Sequence, residues 1–327
     1  MAGSSVAHPA GELWRLDADA AVALAPLGSP FADSRFITAL ERCNRRWSGH
    51  TVGAVARDDV RAAITVVRTG PRGISVPFGY GGLVADRSLD AAEVDALLHL
   101  VSRQLGLSAL TSYSLPLPIR GRPAHGCGKV FASTALVTLD RDEDPRSALA
   151  KKARQSIRRA ERGGVVVSVD EDPRPFLTLY AGASRQYRAV YPTPLLNLVA
   201  ASGLARIYHA VVQGQAVASA FVLTGRVEWM YWLAAANELG RQLEAGYPVV
   251  AQMLVDAQAH DAKFVNLGAS TGIPGVAKFK RRMAGADFPM IENSITTSPL
   301  WLLRSRIASG VANRVQDWRR PRGARQT

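Results

Sequence analysis

The chain has 327 residues, of which 47% are hydrophobic, and its formal net charge is +13 at pH 7. This length and composition allow about two ordinary domains with full apolar cores, which excludes a globally disordered protein. Two cysteines and six scattered histidines give neither a disulfide framework nor a ligand-spaced metal site. Without an apolar run of about 18 residues or a secretory signal at the N-terminus, we expect a cytoplasmic protein that binds no metal.

The first predicted elements are a β-hairpin, a helix and a further strand. Gly53–Val67 predicts two strands around a two-residue turn at Asp58-Asp59. Asp90–Leu115 then predicts an amphipathic helix followed by a short strand.

A basic helix is predicted next, between Pro145 and Gly164, over the sequence KKARQSIRRAERGG. Asp144-Pro145 is a helix-start signal, and Gly163-Gly164 is a stop signal. The apolar residues at helical spacing, which we expect to face the core, are Ala153, Ile157 and Ala160.

The second half repeats the order of the first. His209–Leu223 predicts a hairpin around Gly214-Gln215, 156 residues after the first hairpin, and Tyr247–Gly268 again predicts a helix and then a strand. Two elements in the same order at one offset indicate an internal duplication. We therefore predict a mixed α/β (α+β) fold with two tandem domains, over residues 1–145 and 146–298.

The final segment, residues 299–327, predicts an amphipathic helix over Pro299–Trp318 and a basic tail. Such a helix either packs on its own domain or lies peripherally on an anionic membrane.

The positive charge is concentrated in three blocks, at Lys151–Arg162, Lys278–Arg282 and Arg304–Arg325. Focused positive charge suits a polyanionic partner such as nucleic acid, a nucleotide-linked substrate or an anionic lipid. The last block is equally compatible with a solvated basic tail.

Several motifs, in their order and spacing, resemble the Fem family, GNAT-superfamily enzymes that form peptide bonds from aminoacyl-tRNA. The resemblance covers about residues 31–290. The motifs that carry it are Pro30-Phe31 with Phe36, PFGYGG at Pro77–Gly82, KKARQSIRRAERGG, WMYW at Trp229–Trp232, NLG at Asn266–Gly268 and KFKRRM at Lys278–Met283. Two features depart from the family: the coiled-coil insertion of some members has no counterpart, and Met283 replaces the usual aromatic residue.

The resemblance implies two tandem GNAT-like acyltransferase domains that need no bound cofactor. The donor would be aminoacyl-tRNA, and the acceptor an amine of a peptidoglycan precursor or of a peptide-like metabolite. We expect a monomer with possible peripheral membrane contact.

The resemblance also implies roles for single residues. A lysine that follows a phenylalanine takes part in the family's chemistry, and this pair corresponds to Phe279 and Lys280 as the catalytic residues. The expected substrate-binding residues are Arg35, Tyr80, Tyr231 and Glu244. The cations expected to bind tRNA are Lys151, Lys152, Arg154, Arg158, Arg162, Lys278, Arg281 and Arg282.

The chemistry of amide formation suggests a specific role for Lys280. Attack of an amine on an ester needs a neutral amine, a stabilised oxyanion and a protonated leaving hydroxyl. We hypothesise that Lys280 stabilises the oxyanion or the adjacent phosphate, and that Phe279 positions the adenosine end. The alternative is that Lys278–Arg282 is only an exposed basic face. In the WMYW strand, we expect two of the three aromatic residues to lie in the core.

Acyl-CoA is the competing donor. GNAT enzymes hold its pyrophosphate at a helix start with the pattern R/Q-x-x-G-x-G/A. The corresponding segment here, Gly240–Val250, has Gly246 alone, followed by Pro248. An acyl-CoA-dependent N-acyltransferase therefore remains the second hypothesis. A non-catalytic RNA- or membrane-binding protein is the third, and the intact KFK sequence argues against it.

Overall fold

A computed structural model describes residues 13–75, 82–114, 128–147, 149–183, 191–269, 274–283 and 286–297. Its helices are α1 (Ala18–Leu24), α2 (Ser34–Cys43), α3 (Ala91–Leu105), α4 (Lys151–Arg162), α5 (Arg174–Ala183), α6 (Thr193–Ala201), α7 (Glu238–Gln242), α8 (Gly246–Ala259) and α9 (Pro274–Met283). Its strands are β1 (Trp14–Leu16), β2 (Ser48–Ala56), β3 (Arg61–Thr69), β4 (Arg72–Ile74), β5 (Leu83–Ala85), β6 (Ala109–Ser114), β7 (Lys129–Thr138), β8 (Val166–Asp170), β9 (Ala205–Val212), β10 (Gln215–Thr224), β11 (Glu228–Ala236), β12 (Phe264–Ala269) and β13 (Ala286–Thr296). The predicted mixed α/β fold is confirmed.

The chain divides into two compact units, and neither is one continuous stretch. The first contains the chain up to Gly28, Arg46–Phe131 and the segment that begins at Met290. The second contains Ser29–Arg45 and Ala132–Pro289. This division differs from the predicted boundaries in three places: residues 29–45 and 132–145 belong to the second unit, and the segment that begins at Met290 belongs to the first.

The first unit is a sheet with strand order β1-β2-β3-β4-β6-β13, and β5 pairs with β3. Its predicted hairpin is the antiparallel pair β2–β3. The helix α3 begins with a capping box, in which the side chains of Asp90 and Glu93 each accept the other residue's backbone N–H. The indole of Trp14 donates to the Glu93 carbonyl at 3.0 Å, which ties β1 to the start of α3.

The second unit is a sheet with strand order β7-β12-β11-β10-β9-β8. Its hairpin β9–β10 turns at Gln213 and Gly214, whose φ angles are +50° and +77°. Positive φ at both central residues is the geometry of a tight hairpin turn. The predicted turn at Gly214-Gln215 was therefore one residue late, because Gln215 already belongs to β10.

The basic helix α4 begins at Lys151, six residues after the predicted start at Pro145. The start signal was misleading because the Asp144 side chain accepts the N–H of Arg146, and so serves a turn before the helix. The predicted end is confirmed, since Gly163 is the C-cap. The predicted core residues are all buried: Ala153, Ile157 and Ala160.

The segment 29–45 supplies aromatic side chains to the core of the second unit. Phe31 and Phe36 are fully buried and contact Trp232 edge-to-face, with ring centroids 5.6 Å and 5.5 Å apart. Such pairs add specific geometry to the burial of apolar area. The segment is thus part of the second unit's core.

Two predicted features lie outside the described residues: the final helix over 299–318 and PFGYG at 77–81. Among the helices that are described, none is long and apolar enough to cross a membrane. The same part of the chain contains no group of three or more His, Cys, Asp or Glu residues placed to hold a metal ion.

The close contact between α1 and β2 predicts that a larger residue at Gly53 destabilises the protein. A Cβ at Gly53 would lie 2.2 Å from the Asp17 carbonyl oxygen, so we expect Gly53→Ala to lower the free energy of unfolding by about 1–3 kcal/mol or more. The matched control is Gly182→Ala in α5, where no described atom outside the local helix backbone lies within 4 Å and where alanine should be neutral or stabilising by about 0.5–1 kcal/mol. Urea unfolding of both variants tests this, and equal effects would contradict the close approach.

Candidate active site

The candidate site lies where two parallel strands of the second unit separate. β11 and β12 pair from Glu228–Phe264 to Met230–Asn266, and the ladder ends there although both strands continue. β12 changes register against β7 just after Asn266, and Gly268 has a φ of +79°. The backbone of β12 therefore bends away from β11 and leaves a gap at the C-terminal ends of the strands, where α/β proteins commonly bind ligands.

The side chain of Asn266 holds this bend in place. Its Nδ2 donates to Glu228 Oε1 at 2.7 Å. Its Oδ1 accepts from Thr134 Oγ1 at 2.6 Å and from the Gly268 N–H at 2.9 Å. Because these side chains are buried, one amide links β7, β11 and the bend of β12. Glu228 is thus a structural residue here.

The gap opens into a cavity of about 510 Å³. Its walls include Ala218 and Ser219 of β10, Tyr231 and Ala234 of β11, Tyr247 of α8, and Val276 and Phe279 of α9. Ala218 and Ser219 are successive residues of a strand, so their side chains point to opposite faces of the sheet. The cavity therefore reaches both faces at the point where the strands separate.

A β-bulge shapes the β11 side of the cavity. In the pairing with β10, Phe221 lies opposite Leu233 and Val222 lies opposite Tyr231, so Trp232 is the extra residue. A bulge of this kind redirects the following side chains. Tyr231 lines the cavity, whereas Trp229 and Trp232 are buried, which confirms the expectation that two of the three aromatics lie in the core.

The start of α8 forms another wall, and α7 lies directly on β10 beside it. A Cβ at Gly240 would lie 2.2 Å from the Val217 carbonyl oxygen, so only glycine allows α7 this close. The chain then passes through Glu244, with a φ of +53°, into Gly246, the first residue of α8. Pro248 occupies the first turn of α8 and has no N–H to offer an anion.

In the described part of the chain, two charged residues line the cavity. The Arg241 guanidinium is held by Glu238 at 2.7 Å and by the Ala236 carbonyl at 2.8 Å. The Glu244 carboxylate, by contrast, makes no hydrogen bond with any described residue, although it lies near enough to Arg282 to help raise the pKa of that guanidinium. A partly buried carboxylate at the wall of a mainly apolar cavity is suited to meet an amine.

The two predicted catalytic residues are neighbours in α9, but their side chains lie in different places. Phe279 lines the cavity and contacts Tyr247 edge-to-face, with centroids 4.8 Å apart. Lys280 is only 6% exposed, and its Nζ donates to the Ala269 carbonyl at 2.9 Å, at the C-terminal end of β12. Burial lowers the pKa of Lys280 to about 8, with the nearby Asp287 opposing this effect.

The two basic segments of the second unit meet at one place. The Ala150 N–H donates to the Arg282 carbonyl at 3.1 Å, which joins the start of α4 to the end of α9. We call the exposed cations around this junction the basic surface: Lys151, Lys152, Lys278 and Arg281. Arg282 is half-buried beside them and donates to the Tyr247 hydroxyl at 3.1 Å, which links the basic surface to the cavity wall.

The other predicted tRNA-binding residues have different surroundings. Arg154 is exposed, but its guanidinium donates to the carbonyls of Ser147 and Leu149. Arg158 and Arg162 are exposed further along α4. They extend the positive charge away from the junction.

The predicted substrate-binding residues are only partly brought together. Tyr231 and Glu244 line the cavity. Arg35 does not, and its guanidinium instead binds Asp33 and the Gly203 carbonyl. Tyr80 lies outside the described residues. Met283 is fully buried in the core of the second unit.

Comparison with known proteins agrees with this architecture. Residues 147–281, which include α4, the cavity and most of α9, match the family described as acetyltransferase (GNAT) domain. The match covers less than half of the chain, and it indicates an acyltransferase of the GNAT type. No curated protein sequence matches the chain.

Most of the chain has a Fem-like fold, as the sequence resemblance predicted. The crystal structure of FemX aligns with a TM-score of 0.55 at 11% identity, over 83% of this chain and 93% of that one. The C-terminal domain of a protein described as a lysylphosphatidylglycerol synthetase from Agrobacterium fabrum aligns with a TM-score of 0.52 at 12% identity, over 90% and 95% of the two chains. At these identities the likeness defines the fold.

The buried ammonium of Lys280 predicts a pH-dependent stability. Its pKa is about 8 in the folded protein and near its ordinary 10.5 in the unfolded chain, so between these values the unfolded state binds more protons. The free energy of unfolding should therefore rise with pH across this window, by an amount on the order of 3 kcal/mol. Lys280→Met should be more stable than the wild type near pH 7 and should lack this rise.

Chemical denaturation of both proteins at pH 7.5 and pH 10 measures the difference. Comparison with the variant cancels the contributions of other titrating groups. Parallel pH dependences in the two proteins would show that the Lys280 ammonium is not desolvated.

Proposed function

We propose that this protein transfers an aminoacyl group from charged tRNA to an amine and so forms an amide bond. The acceptor is an amine of a peptidoglycan precursor or of a peptide-like metabolite. The observation that carries the proposal is the junction of α4 and α9, which places the basic surface beside the wall of the cavity.

The cavity supports a reaction between two bound substrates. It reaches both faces of the sheet, so a donor and an acceptor can approach the gap from opposite sides. On one face it is lined by Phe279 and the start of α8, next to the basic surface. We assign the donor to this face because a tRNA end brings phosphates that need cations.

The start of α8 favours tRNA over acyl-CoA as the donor. A pyrophosphate cradle needs successive free N–H groups at a helix N-terminus. In α8 the first turn contains Pro248, and the Tyr247 N–H donates to the Glu244 carbonyl. Acyl-CoA remains the second candidate, because its binding motif is altered but the GNAT domain is present.

The proposed chemistry is direct transfer. The lone pair of the acceptor amine attacks the ester carbonyl carbon, the bond to the 3′-oxygen of the tRNA breaks, and an amine hydrogen moves to that oxygen. Phe279 packs against the adenosine end, and Lys280 at the end of β12 supplies positive charge for the oxyanion or the adjacent phosphate.

The basic surface predicts salt-dependent tRNA binding. We expect the purified protein to bind a pool of charged tRNA with a steep salt dependence and to bind acetyl-CoA only weakly. The triple variant Lys151→Ala/Lys152→Ala/Arg281→Ala should weaken tRNA binding and reduce the slope of log K against log salt by about 0.7–0.9 per cation removed.

The matched control is Arg226→Ala/Lys263→Ala. These cations precede β11 and β12, at the end of the sheet opposite the cavity, and they should leave the slope unchanged. Saturable binding of acetyl-CoA together with salt-insensitive tRNA binding would favour the acyl-CoA hypothesis instead.

A single-turnover experiment tests Lys280 itself. With enzyme in excess over charged tRNA, Lys280→Ala is expected to reduce the rate constant of transfer by about 100-fold, since a fixed charge that stabilises an oxyanion contributes on this order. Lys263→Ala should transfer at the wild-type rate. An unchanged rate in Lys280→Ala would remove Lys280 from the chemistry.

A further inference from the structure

A buried serine in the cavity wall pairs with a buried histidine behind it, and the proposed transfer chemistry uses neither residue. Ser219 lines the cavity although it is only 2% exposed. His209, 3% exposed, lies directly opposite it in the register of β9 and β10. Ser219 Oγ and His209 Nδ1 are 2.9 Å apart.

The serine hydroxyl has one hydrogen and two acceptors within reach. Ser219 Oγ is 2.9 Å from the Tyr208 carbonyl oxygen and 2.9 Å from His209 Nδ1. If the hydrogen points to Tyr208, Nδ1 must carry its own hydrogen and donate to Oγ. If the hydrogen points to Nδ1, the imidazole carries its hydrogen on Nε2. Only in the second arrangement can Nδ1 accept the serine hydrogen, and the heavy atoms then already stand at hydrogen-bond distance for that transfer.

The other ring nitrogen also needs an explanation. His209 Nε2 is buried and has no hydrogen-bond partner within the described part of the chain. Burial lowers the pKa of His209 below its ordinary value, and the charges of Asp170 and Asp172 act against this. At neutral pH the imidazole is thus neutral and can accept a proton.

Among the described residues, the charged groups that act on His209 are Asp170 and Asp172. The elements packed against its strand contribute the following groups. The buried face of α5 offers Phe176, Tyr180 and Ala183, and the Tyr180 hydroxyl accepts the Tyr191 N–H. The buried residues of α6 are apolar: Leu195, Leu196 and Val199. On the opposite face of β9, under α8, Asp256 binds the Tyr208 hydroxyl at 2.8 Å.

The position of Ser219 indicates that the serine–histidine pair faces the side of the cavity where the acceptor substrate would bind. Ser219 shares a strand face with Phe221, which contacts Phe176 of α5, and Ala183 at the end of α5 also lines the cavity. Phe279, by contrast, packs on the core cluster that Ala218 joins from the other face. Ser219 is therefore on the face opposite the proposed donor side.

We propose that Ser219 contacts the acceptor amine and that His209 takes the amine's proton through Ser219 Oγ. This inference rests on the proposed amide-forming transfer. An acceptor ammonium gives a proton to Ser219 Oγ while the serine hydrogen passes to His209 Nδ1, which leaves a neutral amine and an imidazolium.

The remaining steps balance the reaction. The amine lone pair bonds to the donor carbonyl carbon, the ester C–O bond breaks, and a second amine hydrogen moves to the leaving oxygen. The imidazolium releases its proton to solvent once the product has left. Ser219 is then a substrate contact, and His209 is a positioning residue that acts through it.

The test compares three variants. Ser219→Ala removes the hydroxyl, and His209→Gln keeps a hydrogen-bonding side chain that does not titrate. The matched control is Thr224→Val, which removes another hydroxyl of the same hairpin, one that donates to the Leu204 carbonyl at 3.0 Å. Each is assayed for transfer between pH 5 and 9, well below its unfolding temperature.

We expect kcat to fall about 100-fold or more in Ser219→Ala and His209→Gln, with loss of the acidic limb of the pH–rate profile and little change in the KM for the donor. Thr224→Val should keep both the rate and the profile. The proposal is overturned if the two site variants keep the acidic limb, because a purely structural pair would change the amount of folded protein and not the shape of the profile.

The outcome does not depend on which donor is correct, since the pair acts on the acceptor. If the wild type uses acyl-CoA and not charged tRNA, the donor assignment fails and the same variants are compared with acyl-CoA. If the wild type uses neither donor, the proposal is tested by NMR, from the ¹⁵N resonances of the His209 imidazole. Alanine methylamide, a minimal amine, should shift the His209 Nδ1 resonance in the wild type but not in Ser219→Ala, and no shift in the wild type overturns the proposal.

Discussion

The amide of Asn266 bonds to side chains on two neighbouring strands and to the backbone of its own strand two residues further on. These contacts fix the place where β12 leaves β11. A continuous parallel ladder would fill the space that the cavity occupies. The buried carboxylate of Glu228, which would otherwise carry a large desolvation cost, is held by the same amide. The gap, its two open faces and the position of Lys280 at its edge all depend on this arrangement.

The local elements could be predicted from the sequence because their signals lie within a few residues of one another. The capping box of Asp90 and Glu93 marks α3, and Gly163 marks the end of α4. The start of α4 was misplaced because an aspartate followed by proline serves a turn as well as a helix. The position of a hairpin turn was wrong by one residue for a similar reason, since both residues of Gln213-Gly214 take positive φ and only one is glycine.

The candidate site was predictable only in part. The KFK motif pointed to Phe279 and Lys280, yet their separation between the cavity and the buried end of β12 depends on how α9 packs. The pairing of Ser219 with His209 follows from the register of β9 and β10, and Thr134 meets Asn266 across 132 residues of sequence. Such contacts leave no local pattern, because serine and threonine are common in strands for many other reasons.

The aromatic contact of residues 29–45 with β11 has a consequence for synthesis of the chain. Phe31 and Phe36 leave the ribosome about 200 residues before Trp232. At about 5–20 residues per second, their rings wait roughly 10–40 seconds for the partner that covers them. The second unit therefore cannot complete its core from a contiguous nascent segment, and the early aromatic segment stays available to chaperones, or to another copy of the chain, during that interval.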